Sequence, residues 1–85
     1  MLKILKYPLR LEDVQTLELP AFFKPLTVQI QVDRLCLWAL VDTDRRTAPV
    51  AVYIYGTGFD MPQQFGEYIA TVQQGPYVWH VFIQR

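Results

Sequence analysis

Cys36 and His80 are the side chains in this sequence best suited to covalent or proton-transfer chemistry. A thiol becomes a useful nucleophile when an imidazole takes its proton and a third group orients that imidazole. Here each residue sits inside an apolar run, residues 35–41 and 77–83, with no motif around it. A cysteine in such a run behaves as a small hydrophobe. The chain offers no coherent set of acid, base and nucleophile, so the expectation is a protein that is not an enzyme. Asp42 and Asp44 have the Asp-x-Asp spacing of a metal-binding loop. Arg45 and Arg46 follow directly and their charge opposes a cation. With one histidine and one cysteine in all, no metal or other cofactor is expected. Tyr55-Gly56-Thr57-Gly58 resembles a short phosphate loop, but no helix follows to present free N–H groups. Its glycines are expected to permit positive φ at a strand exit.

The aromatic residues carry the remaining chemistry. Trp38, Tyr53, Tyr55, Trp79, His80 and Phe82 are read as a face for a protein partner, with Arg45 and Arg46 at its rim. Interface cores favour Trp, Tyr, Phe and Arg. The partner would be a host protein, a defence system or a second copy of the chain. A second reading makes the same aromatics a stacking platform for single-stranded nucleic acid. The basic groove that such platforms carry is missing, because the cations are scattered apart from Lys3/Lys6 and Arg45/Arg46. A third reading is a homo-oligomeric structural or virion component. The bland alternative is that Trp38 and Trp79 fill one small core and pack against each other.

What must position these residues is a set of short strands. Prolines and turn formers recur every ten or so residues, and no apolar repeat of helical period extends over ten. The pattern predicts strands over 2–7, 14–19, 26–32, 35–41, 50–55, 67–73 and 77–83. Leu26, Val28, Ile30 and Val32 are expected to face inward, and Asp33-Arg34 to form a two-residue hairpin loop. Residues 61–65 could make one helical turn at most. The charged stretch 42–49 reads as an exposed loop, and Phe22-Phe23 as either an end plug or an exposed contact. The expected fold is a single all-β domain over residues 1–85. Its form is a small antiparallel β-sandwich or partly closed β-barrel of six to seven strands.

Two strands break the usual alternation. Leu35, Leu37, Ala39 and Val41 share one face, yet Cys36, Trp38 and Leu40 on the other face are apolar too. Tyr77, Trp79, Val81 and Ile83 likewise oppose Val78, His80 and Phe82. A surface strand normally keeps one polar face. Such a short chain has little material to cover both sides of a sheet, so either the sheet curls tightly on itself or another chain covers the second side.

Eighty-five residues with 52% hydrophobic content argue against disorder. Eight basic and eight acidic residues cancel, which gives no general attraction to nucleic acid or an anionic membrane. A lone cysteine in so small a domain fits a reducing cytoplasm. The opening residues lack the apolar core of a signal peptide, and no run is long enough to span a membrane.

Several stretches resemble an uncharacterised family of small phage and prophage proteins. They are residues 3–9 (KILKYPL), 13–16 (DVQT) with Pro20, 37–42 (LWALVD), 55–58 (YGTG), 66–69 (GEYI) and 78–82 (VWHVF). The resemblance covers nearly the whole chain. It transfers no activity and no residue roles. It implies a small accessory protein in the cytoplasm of a bacterial host, acting by binding rather than catalysis.

Overall fold

The computed structural model describes residues 1–85 and is all-β. Its strands are β1 (Leu2–Pro8), β2 (Val14–Pro20), β3 (Phe23–Gln31), β4 (Arg34–Asp42), β5 (Thr47–Gly56), β6 (Glu67–Gln74) and β7 (Tyr77–Gln84). They form two sheets, β1-β4-β3 (sheet A) and β2-β5-β7-β6 (sheet B), and every paired neighbour is antiparallel. The sheets face each other as a sandwich, only 16 Å deep along its short axis.

The core is built by period-two alternation from both inner faces. Sheet A contributes Leu35, Leu37, Ala39 and Val41 of β4 with Phe23 and Val28 of β3. Sheet B contributes Leu19, Val50, Val52, Ile54, Val72, Val81 and Ile83. Burying each such aliphatic side chain is worth about 1.5–3 kcal/mol.

Local departures from the sequence reading have identifiable causes. The hairpin loop is Val32-Asp33, not Asp33-Arg34, because Gln31 pairs with Arg34. Both loop residues have positive φ, 50° and 61°, as a primed two-residue turn requires. Val32 is therefore 93% exposed rather than inward. A β-branched residue at positive φ is strained. Leu26 is also exposed, since a register shift between Pro25 and Thr27 turns it outward. Strand β3 begins at Phe23, three residues earlier than the pattern suggested, and residues 61–65 form no helical turn.

Every connection except that between β5 and β6 lies at one of two ends. The β1–β2 link, the Val32-Asp33 turn, the exit of β5 at Gly56 and the β6–β7 turn share one, called here the loop end. The amino terminus, the β2–β3 link, the β4–β5 link and Arg85 share the other, the charged end. Strands β5 and β6 both pair with β7 and so run parallel to each other. Residues 57–66 must therefore travel the length of sheet B to connect them.

Candidate binding surfaces

The outer face of sheet A is open. Register places Leu2, Ile4, Lys6 and Pro8 of β1 beside Asp42, Leu40, Trp38 and Cys36 of β4. On the other flank, Lys24, Thr27 and Gln29 of β3 lie beside Leu40, Trp38 and Cys36. Leu2 and Ile4 are about 60% exposed (60% and 61%), and Trp38 and Leu40 are half-buried. The cover that does exist is a side-chain strap. Lys6 Nζ reaches over β4 to donate a 2.7 Å hydrogen bond to Gln31 Oε1, and Cys36 lies buried on that face. All three lysines of the chain, Lys3, Lys6 and Lys24, belong to sheet A.

The outer face of sheet B is roofed by its own chain. Thr57 Oγ1 lies 2.8 Å from His80 Nε2 at one end of the 57–66 crossover. Phe65 meets Phe82 edge to face at 5.0 Å near the other. Tyr68 adds a second edge contact to Phe82 at 5.6 Å. His80 Nδ1 is bonded to Thr71 Oγ1 at 3.0 Å, and Thr71 to the Tyr68 hydroxyl at 2.7 Å, so both ring nitrogens are engaged. Tyr53 and Tyr55 stack along β5, and Tyr55 is buried. Burial pushes the Tyr55 phenol above its ordinary value, and the charge of Asp13 adds to the shift.

Trp79 belongs to neither outer face. It packs on the inner side of sheet B at the loop end, stacked on Tyr77 at 5.6 Å. Its Nε1 donates to Gln74 Oε1 at 3.0 Å, while Gln74 Nε2 donates to the Asp33 carbonyl at 3.0 Å. One amide thus ties the two sheets together. Trp79 and Trp38 do not share a core, because Trp38 points away from it on the opposite sheet. Two depressions flank Phe59 beside Trp79. One of about 200 Å³ is lined by Gly56, Phe59, Tyr77 and Trp79, among others. One of about 150 Å³ is lined by Leu11, Glu12, Asp13, Phe59 and Trp79, among others. Buried Gln15 holds the β1–β2 link in place, accepting from the Arg10 amide at 3.1 Å and donating to the Arg10 carbonyl at 2.7 Å.

Arg45 and Arg46 lie at the charged end, away from these aromatics. Arg45 Nε is 3.6 Å from Asp42. Asp42 and Asp44 hold the Met1 ammonium, with the Asp42 contact at 2.9 Å. That ammonium and the Asp44 amide keep the Asp42 carboxyl below its ordinary value. Arg85 lies over the Phe23 ring at 4.2 Å, so Phe23 is the buried plug and Phe22 the exposed member of that pair. Cys36 and His80 occupy different sheets, and the Cys36 thiol instead points to the Arg34 carbonyl at 3.6 Å. The two residues form no catalytic pair. No cluster of three or more His, Cys, Asp or Glu side chains is formed, and no helix is long and apolar enough to cross a membrane.

The eight residues singled out in the sequence thus divide among four places. Trp38 lies on sheet A, while Tyr53, Tyr55, His80 and Phe82 lie on sheet B. Trp79 marks the loop end, and the two arginines the charged end. Sequence reasoning missed Leu2, Ile4, Asp13, Gln15, Phe59 and Gln74. Phe59 and Asp13 sit in links with no periodicity, and Gln15 reads as an ordinary outward polar residue until its loop is seen.

Fold and surfaces together define a seven-stranded antiparallel β-sandwich with one sheet face that no backbone segment crosses and an aromatic loop end. The chain belongs to the family of the domain of unknown function DUF7352, whose model matches residues 1–85. No match is found among the curated proteins or the solved structures.

Proposed function

We propose that this chain is a non-enzymatic accessory protein of phage or prophage origin that binds a protein partner on the outer face of sheet A. The observation that carries the reading is Trp38, half-buried in a strip with Leu40 and the exposed Ile4 and Leu2 that no backbone segment of the chain crosses. A tryptophan at an interface centre contributes about 2 kcal/mol or more to binding. The partner is a host protein or a defence component in the bacterial cytoplasm. Self-pairing along the free β1 edge is disfavoured by a lysine on each of its faces, Lys3 on the core side and Lys6 on the outer side.

A photo-cross-linker at position 38 tests the reading inside a bacterial host. One discrete cross-linked protein is expected, lost in an Ile4→Glu variant that keeps its native circular dichroism. Equal cross-linking in that variant would remove sheet A from the mechanism. Light scattering over a wide concentration range separates a foreign partner from a second copy.

Lys6 and Lys24 flank Trp38 and Leu40, and this favours single-stranded nucleic acid as a second reading. Binding to an oligothymidylate that falls steeply with salt would support it. No binding at low salt would dispose of it.

A further inference from the structure

The loop end holds a feature that the sheet A reading does not use. Phe59 and Trp79 converge on Gly56. A Cβ added there would meet the Trp79 ring at 3.4 Å and the Phe59 ring at 3.5 Å, so the glycine is the floor between two aromatic walls. Phe59 and Tyr77 are exposed (64% and 60%), which is costly for rings with nothing on them. The depressions on either side of Phe59 share Gly56, Phe59 and Trp79. One ends on the Tyr77–Trp79 stack and the other on Glu12 and Asp13.

Both charged residues that line the depressions are acidic. Glu12 is neutralised by Arg10 at 2.9 Å. The Asp13 carboxylate has no cation within 4.0 Å and accepts no hydrogen bond; only its backbone carbonyl is used, by the Ile54 amide. No lysine, arginine or histidine lines either depression. An aromatic slot beside a free carboxylate is complementary to a flat cation. A guanidinium stacks on aromatic faces and donates in its own plane to a carboxylate. An ammonium, compact and strongly hydrated, gains less from stacking.

The geometry points to a guanidinium site at the loop end: an arginine side chain of a protein partner lies along Phe59 and Trp79 and donates to Asp13. The slot is pre-formed on both sides. Gln15 clamps the link that presents Asp13, and Gln74 fixes the edge of Trp79. Only Phe59, on the exposed crossover, has room to adjust.

The test titrates the ¹⁵N-labelled full chain with the peptide acetyl-Gly-Arg-Gly-amide and follows its two indole N–H signals, assigned with Trp38→Phe. A saturable shift of the Trp79 signal is expected, with a dissociation constant on the order of 1 mM, as suits one cation–aromatic contact. The glutamine analogue should bind about tenfold more weakly, and the lysine analogue measurably more weakly than arginine. Asp13→Asn, which keeps the backbone contact to Ile54, should weaken the arginine peptide about fivefold, and Phe59→Ala at least as much. Equal shifts with arginine and glutamine peptides, movement of Trp38 instead, or an unaffected Asp13→Asn variant would each overturn the site. Lysine binding as tightly as arginine would overturn the guanidinium assignment. Ile4→Glu should leave the titration unchanged, so failure here is separable from failure of the sheet A reading.

Discussion

Strands β4 and β7 pose one problem and the fold solves it twice. Each is apolar on both faces, and each buries one of them in the sandwich core. On the far side of β7 the chain supplies its own cover, the 57–66 crossover, with Phe65 against Phe82 and Thr57 against His80. On the far side of β4 nothing comparable passes over, and Trp38 and Leu40 are left half-open beside two exposed aliphatic residues. The difference follows from topology. Strands β5 and β6 are parallel, so their link must cross a sheet face, whereas all three strands of sheet A are reached from the sandwich ends. An apolar outer face that a chain segment covers is structure; one that no segment crosses is a candidate for binding.

Breaking the roof should have the largest effect. Gly66 has φ of +80°, and a side chain there would fall on the Ile83 carbonyl of β7. Gly66→Ala is expected to destabilise the fold by about 2 kcal/mol or more, read as a lower denaturant midpoint. A neutral result would mean that the crossover is not docked on β7.

The two far faces can then be compared directly. Phe82→Ala removes a ring held between Phe65 and Tyr68 and should cost about 2 kcal/mol. Trp38→Ala should stay within about 1 kcal/mol of the parent while abolishing partner binding. Equal destabilisation would make Trp38 a structural residue and cancel the contrast.

The turn that closes β3 onto β4 carries strain that sheet A does not need. Val32→Asn should raise stability by about 1 kcal/mol, because asparagine tolerates positive φ where a β-branched residue does not. No gain in the unfolding midpoint would show that Val32 is not strained.

Two solution probes give the smallest effects. The Tyr55 phenol lies above its ordinary value because burial, then Asp13, disfavours the anion. A raised folded pKa contributes stability that is complete below the unfolded value near 10 and is lost as pH rises through the folded value. Ultraviolet titration should therefore show Tyr55 ionising late, and Asp13→Asn should bring it partway back. Across the sandwich, Cys36 is shielded on the bare face, where the Lys6–Gln31 strap crosses β4. Lys6→Ala should raise its rate of reaction with a disulfide reagent several-fold, with little change in stability. An unchanged rate would place the shielding elsewhere.

The residues themselves determined the strand set, because alternation, prolines and turn formers act over a few positions. Seven strands form about where the pattern placed them, although β3 and β5 each begin three residues earlier, β5 taking in Thr47–Pro49 of the stretch read as a loop, and the doubly apolar character of β4 and β7 was visible in their composition. Two-residue details needed the backbone. The primed turn moved Val32 outward, and the β3 bulge moved Leu26, since a one-residue change of register reverses every side chain beyond it. The candidate surfaces were decided only by tertiary structure. Sheet assignment separated Trp38 from Trp79 and Cys36 from His80, and no local signal says which sheet a strand will join. The loop end is assembled from Asp13, Phe59 and Trp79, which are brought together from three elements. Each is unremarkable alone in sequence, because a binding surface depends on proximity in space, which the chain acquires only when its long-range pairings close.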